Sequence, residues 1–378
     1  MKKHSWHLRL WTGILLLALL ALLATACSDS GDKEASPPPA SSAASTAQTG
    51  SSPAASSAAP VETARILRDM AGREVKLPPA IKKAVTIGSV PVINSFIFAV
   101  GGGDTIGNGL PDFARKPRWK YQTVFAPAIA DKPVMQAASG NEPLTEEILK
   151  AAPDVVFTMD KAAISTLEGK GITSFYLENK KPEDVKEIVR LLGEIYNKPD
   201  TAEQYAQYFD GVIQRVETAV SGIPADKRPK VLNLNVDSMN QPHLIAEWWI
   251  TAAGGVSVTN DGRTQETLGL SMEQILHWNP DVLIVASAEQ RENVLKDEKF
   301  AQISAVASKR IFVAPTGAHT WANRTVEQPL TVLWAYQHFY PDLFGETELL
   351  EEVQGFYKQF FETALSDEQV KEILDAKL

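Results

Sequence analysis

The stretch TAEQYAQYFDGVIQRVETAVS, residues 201–221, divides the chain into two halves that resemble each other. Its apolar residues Tyr205, Phe209, Val212, Ile213, Val216 and Val220 recur at steps of three and four, which lays them along one face of a helix. Pro199 and Asp200 ahead of it, with Gly222 and Pro224 behind it, mark its ends. At 1.5 Å per residue such a helix spans roughly 31 Å, about the width of a small domain. The spacing therefore predicts a strut between two lobes.

A repeated phrase on either side of this helix carries the two-lobe reading. Glu146-Glu147-Ile148-Leu149 stands three residues before Pro153-Asp154-Val155, and Glu273-Gln274-Ile275-Leu276 stands three residues before Pro280-Asp281-Val282. Every position is offset by 127 residues. In each copy the apolar run after Pro-Asp predicts a strand buried on both faces, so the repeated unit is helix, turn, parallel strand. The expected domains are residues 62–200 for a first α/β lobe, 201–222 for the interlobe helix and 223–378 for a second lobe with terminal helices.

The first sixty residues belong to neither lobe. A basic start (Lys2, Lys3, Arg9), an apolar run of eleven residues from Ile14 to Ala24 and small residues at 25–26 describe a secretory signal over 1–26, too short for a membrane span. The chain's single cysteine, Cys27, follows at once. A lone Cys in a secreted chain forms no internal disulfide, and Leu23-Ala24-Thr25-Ala26-Cys27 resembles the bacterial lipobox, which implies lipidation of Cys27. Residues 28–60 are almost wholly Ser, Ala, Pro, Thr and Gly, a composition that cannot bury enough surface to order itself. Segment 27–61 is expected to be a disordered tether. The formal net charge is -9; removing 1–26 takes away three positive charges and no negative ones, leaving -12. An acidic total argues against nucleic acid as a partner.

The folded part opens with Ile66-Leu67-Arg68-Asp69-Met70-Ala71-Gly72-Arg73-Glu74-Val75, which predicts two short strands around a turn. The run Asp69, Gly72, Arg73, Val75, Leu77, Pro78 resembles the opening hairpin of the substrate-binding proteins of ABC importers for ferric siderophores, haem and cobalamin. The order that follows agrees: a strand at 84–88, a loop at Ser89, a helix ending at Gly101-Gly102-Gly103, and a second-lobe strand at 231–235. A helix bearing Trp248-Trp249 then closes at Gly254-Gly255. The resemblance implies an α/β protein of two Rossmann-like lobes joined by a single long interlobe helix, the class III periplasmic binding protein fold. It further implies a monomer, lipid-anchored outside the cytoplasm, that hands a small molecule to an ABC permease in the membrane. In that family an acidic residue on each lobe docks on the permease, and Glu146 and Glu273 occupy the matching places. The bland reading of both is a first-turn glutamate favoured by the helix dipole.

Enzyme signals are missing. The sequence carries no Gly-x-Ser-x-Gly elbow, no His-Glu-x-x-His, no Walker loop and no Cys pair. Four histidines remain beyond the signal, His243, His277, His319 and His338, without metal-ligand spacing. No catalytic residue, cofactor or dedicated metal site is expected. The stretch 110–127 mixes Arg115, Lys116, Arg118 and Lys120 with Trp119 and Tyr121, either a solvated loop or a cleft flap offering rings and positive charge to an anionic ligand. Loop 315–324, after the last clear strand, carries His319, Trp321 and Arg324 at the strand end where open α/β sheets bind ligands. The expected ligand-binding set is Ser89, Arg118, Trp119, Tyr121, Met135, His243, Trp248, His319, Trp321 and Arg324. The basic flap favours a ferric siderophore, with haem, a corrinoid or a nickel or cobalt chelate as alternatives; a secreted enzyme or a ligand sensor on the same scaffold is the reading from another class.

Overall fold

The computed structural model describes residues 64–138 and 140–377. The expected signal 1–26 and the whole of the expected tether 27–61, Cys27 included, lie outside the described residues. Among those described, no helix is long and apolar enough to cross a membrane.

The first half contains β1 (Arg65–Arg68), β2 (Glu74–Leu77), β3 (Ala84–Ile87), α1 (Val90–Phe98), α2 (Lys120–Phe125), α3 (Thr145–Ala151), β4 (Val155–Thr158), α4 (Lys161–Glu168), β5 (Ser174–Tyr176) and α5 (Pro182–Ile195). β1 and β2 form the expected antiparallel hairpin, while β3, β4 and β5 form a parallel sheet in that order. The long helix α6 (Pro199–Val220) follows. Beyond it come β6 (Lys230–Leu234), β7 (Asn240–Gln241), α7 (Ile245–Ala252), β8 (Val256–Ser257), β9 (Leu268–Gly269), α8 (Met272–Trp278), β10 (Val282–Val285), α9 (Ala288–Lys296), α10 (Ser304–Ala307) and β11 (Ile311–Val313). The second parallel sheet has the order β11-β10-β6-β8. Three helices end the chain: α11 (Gln328–Phe339), α12 (Glu346–Phe360) and α13 (Asp367–Leu374).

The central strands β4 and β10 are almost wholly apolar because both of their faces are covered. Val155 and Phe157 of β4 face the main core, and Val156 faces a smaller cluster with Val85, Ile87 and Ile148. Likewise Val282 and Ile284 of β10 join the main core, whereas Leu283 and Val285 join Leu232, Ile275 and Ile303 on the other side.

The Pro-Asp repeat has a direct structural cause. Asp154 Oδ2 accepts the backbone N–H groups of Lys82 and Lys83 at 2.7 and 2.8 Å, and its own N–H donates to Lys83 O. Asp281 Oδ2 accepts the N–H of Lys230 at 2.8 Å, and its N–H donates to Lys230 O. In both lobes the aspartate clasps the start of the neighbouring strand, so the central pair enters the sheet in a fixed register, Ala84 beside Val155 and Val231 beside Val282.

Helix α6 buries the expected face, Tyr205, Phe209, Val212, Val216 and Val220, with Ile213 at its margin. It is not a bare strut. Tyr205 packs edge-on against Phe360 with ring centroids 5.5 Å apart, and its hydroxyl donates to Val326 O at 2.6 Å. The terminal helices thus brace it along its length.

Candidate functional site

The carboxyl ends of the second sheet deliver loop 314–324, whose backbone is held by one buried side chain. Glu327, just before α11, accepts the N–H of Ala318 at 2.8 Å on Oε1 and that of His319 at 2.9 Å on Oε2. Thr325 Oγ1 donates to Oε2 at 3.0 Å, and Tyr357 Oη donates to Oε1. Burial pushes the Glu327 carboxyl up, and these hydrogen bonds oppose the shift.

The flap meets this loop from the first lobe. Its 3-10 turns at Asp112–Ala114 and Pro117–Trp119 lead into α2. Arg118 Nη2 donates to Thr320 Oγ1 at 3.0 Å, and the guanidinium lies 5.7 Å from the Trp119 ring centroid. Arg118 Nε is buried without a hydrogen-bond partner, and burial lowers the pKa of the group. Trp119 lies against His319 with ring centroids 5.0 Å apart. His319 is pushed down to about 4, chiefly by burial, with the Arg118 and His243 charges adding to the depression and a bond to Thr320 O opposing it. The imidazole is therefore neutral at pH 7.

Arg324 crosses the boundary in the other direction. Its Nε donates to Lys180 O of the first lobe at 2.8 Å, and its Nη2 pairs with Glu266 Oε1. His243 lies within electrostatic reach of both; burial and then Arg324 lower its pKa, and Glu266 raises it. A cavity of about 260 Å³ opens beside Arg118, walled by Ser287 and Glu289 beyond β10 and by Val313 and Thr316 beyond β11. A larger cavity, about 400 Å³, lies elsewhere, against the terminal helices around Phe312, Trp334, His338 and Leu349. His338 stacks there on Phe312 with centroids 3.9 Å apart.

The structure thus brings together Arg118, Trp119, His319, Arg324 and His243. Four other members of the expected set are packed elsewhere. Tyr121 is fully buried on the inner face of α2, its hydroxyl donating to Gln369 O and Glu372. Met135 fills the small first-lobe core with Ile87 and Ile148. Trp248 stacks on Phe209 of α6 at 5.9 Å, and Trp321 is fully buried in the main core. Tyr121, Met135 and Trp321 are buried and Trp248 half-buried, as the gain from covering large apolar surface favours. Ser89 is exposed at the start of α1 and caps nothing with its side chain. Glu146 and Glu273 are both exposed in the first turns of α3 and α8.

Sequence reasoning missed Gln122, Thr320, Lys180, Glu266 and Glu327. Gln122 Nε2 donates to Ala318 O across the boundary at 2.6 Å. A buried Gln on an otherwise apolar helix face was its one signal. Among the described residues no group of three His, Cys, Asp or Glu is placed to hold a metal ion.

Two parallel sheets, a single long helix between them and polar loops meeting at their carboxyl ends define a bilobed solute-binding protein. The family model described as periplasmic binding protein matches residues 109–317, and the chain belongs to that family. It is a class III member, the solute-binding component of an ABC transporter acting outside the cytoplasm; such proteins bind and deliver solutes and are not enzymes. The molybdate-binding protein MolA of Haemophilus influenzae is 25% identical over 334 residues, covering 79% of this chain and 92% of its own. A periplasmic solute-binding protein of Veillonella parvula superposes with a TM-score of 0.73 at 24% identity, covering 83% of this chain and 98% of that one. Molybdate-bound MolA superposes with a TM-score of 0.69 at 20% identity over 80% of this chain and 99% of its own.

Proposed function

We propose that this protein captures a small oxyanion of the molybdate class between its lobes and delivers it to an ABC permease. One observation carries the reading. Arg118, a half-buried cation whose Nε is buried without a hydrogen-bond partner, makes no ion pair among the described residues, though Glu289 lines the cavity beside it, and it reaches from the first lobe to Thr320 of the second. A water-shielded cationic donor lacking both a hydrogen-bond partner and a counter-charge is costly, and an anion would complete it. Thr320 and the Arg118 guanidinium supply donors for such an anion, Arg324 adds charge partly offset by Glu266, and the neutral His319, its Nδ1–H given to Thr320 O, contributes an uncharged ring with Nε2 as an acceptor. The adjoining space of about 260 Å³ falls below the roughly 300–1,000 Å³ of sites for drug-sized ligands. The likeness to MolA points the same way.

A second reading keeps the ferric siderophore expected from the sequence, because Arg115 and Lys116 remain exposed on the flap beside Trp119. Calorimetric titration of the purified protein with molybdate, and separately with ferric siderophores, separates the two. The oxyanion reading expects one saturable molybdate site, weakened about tenfold or more in Arg118→Ala, since hydrogen bonds to charged groups contribute about 1.5–3 kcal/mol. Saturation by a siderophore alone would transfer the assignment to it.

Delivery would use Glu146 and Glu273 as the two docking contacts, with Cys27 carrying a lipid anchor. Reversing both glutamates to Lys should abolish uptake in cells with molybdate affinity unchanged. Uptake at the wild-type rate would remove the docking role.

A further inference from the structure

We propose that Glu327 is a positioning residue for the ligand loop: its buried carboxylate, braced by Tyr357 of α12, fixes the Ala318–His319 backbone so that His319 and Thr320 face the flap. The proposal rests on the reading that this loop touches the bound anion.

Four donors converge on the one carboxylate: the N–H groups of Ala318 and His319, Thr325 Oγ1 and Tyr357 Oη. A carboxylate is acceptor-only and serves all four, whereas a carboxamide would turn an NH2 group toward donors. No cation lies within ion-pair distance of Glu327 among the described residues, and the side chain is fully buried. Keeping a carboxylate there is unfavourable by itself, so the geometry it imposes on the loop is the compensating feature. Gly317 fits the same design: a Cβ on it would collide with Tyr357 Oη and Glu327 Oε1, so only glycine lets the backbone approach so closely.

The peptides held by Glu327 are also the ones the first lobe grips. Ala318 donates its N–H to Glu327 and accepts Gln122 Nε2 on its carbonyl. Gln122 is tied in turn to Asn94, and Asn94 to Thr86 of β3. Thr320, two residues on, accepts from Arg118. A loop free to rotate about Ala318 would present neither its carbonyl to Gln122 nor its hydroxyl to Arg118. Tyr357 joins α12 to this contact, which gives the terminal helices a place in ligand capture beyond bracing α6.

The test uses Glu327→Gln and the milder Tyr357→Phe, each examined by peptide-resolved hydrogen exchange, thermal unfolding and titration with sodium molybdate. In Glu327→Gln, exchange within 317–320 should rise about tenfold or more while β11 and α11 stay protected, and the molybdate Kd of the folded protein should weaken about tenfold. Tyr357→Phe removes one donor and should produce about two- to threefold changes in both, which keeps the proposal testable if the first variant does not fold. Wild-type exchange and affinity in the folded variants would overturn it. So would loosening of the whole second lobe with an unchanged Kd of the folded fraction, the mark of a merely structural carboxylate. If the wild type does not bind molybdate, the oxyanion reading falls separately; local loosening of 317–320 still supports the positioning role, and its absence still overturns it.

Discussion

The two copies of the helix–Pro-Asp–strand unit agree at one end of their sheets and part company at the other. At the amino ends the match extends to single atoms. Asp154 and Asp281 clasp the neighbouring strand, Ala152 and Asn279 end the preceding helices in the left-handed conformation at φ 45°, and Lys83 and Lys230 donate Nζ to the carbonyls of Ala151 and Trp278. At the carboxyl ends the likeness stops, among the described residues, at the side-chain N-caps of α4 and α9, Asp160 and Ser287. The first lobe supplies Arg118, Trp119 and Gln122 from a flap with no counterpart, and the second supplies a buried polar loop pinned by Glu327. The repeated chemistry is that of assembling a parallel sheet, and the unrepeated chemistry lies at the boundary where we propose the solute is met.

That contrast also explains what could be read in advance. The Pro-Asp phrase, the apolar strands and the face of α6 are local patterns, each enforced by its own helix or strand period, and they appear where expected. The candidate site depends on which aromatic groups lose the competition for the core. Nothing local separates Trp119, which lies on His319, from Trp321, which is fully buried. Glu327 and Gln122 were hidden for a related reason: a buried polar group is recognisable only once its hydrogen-bond partners, brought from as far as 30 residues away for Glu327 and 196 for Gln122, are in place.

The comparison can be broken or sharpened by experiment, and the largest effect expected is on acid stability. All four histidines of the folded part lie in the second half of the chain. Burial holds both His319 and His338 down to about 4, well below the 6.5 of an unfolded histidine. The unfolded chain therefore takes up protons first as the pH falls. Stability from these two groups is fully present above about pH 6.5 and is lost progressively down to about pH 4. Between pH 6.5 and 5 the loss is about 2 kcal/mol per histidine. Glu327, whose carboxyl is raised by burial, has the opposite sign and offsets part of it. Urea unfolding at both pH values should show a shallower pH dependence in His338→Phe, which keeps the stack on Phe312. An identical slope in wild type and variant would refute the assignment.

Next in size are the clasps. Asp154→Ala releases two backbone N–H groups and Asp281→Ala one, so each should cost about 1–3 kcal/mol, with the first the larger. Reversed order in urea unfolding would mean that the two copies carry unequal loads for some other reason.

The smallest effect makes the copies more alike. Ser271 caps α8 in a reciprocal box with Gln274, whereas Leu144, at the equivalent position before α3, is partly exposed and caps nothing. Leu144→Ser should supply the missing side-chain cap, the backbone N–H at 144 being already bonded to Met135 O, and raise stability by about 0.5–1 kcal/mol. A loss instead would show that Leu144 contributes packing that outweighs a cap.

The central claim, that the boundary between flap and loop is where the solute sits, is most directly tested by crystals grown with molybdate and measured at the molybdenum absorption edge. The account predicts one anomalous peak within hydrogen-bonding reach of Arg118 and Thr320, beside His319. A peak against the terminal helices, or an empty boundary at saturating molybdate, would contradict it.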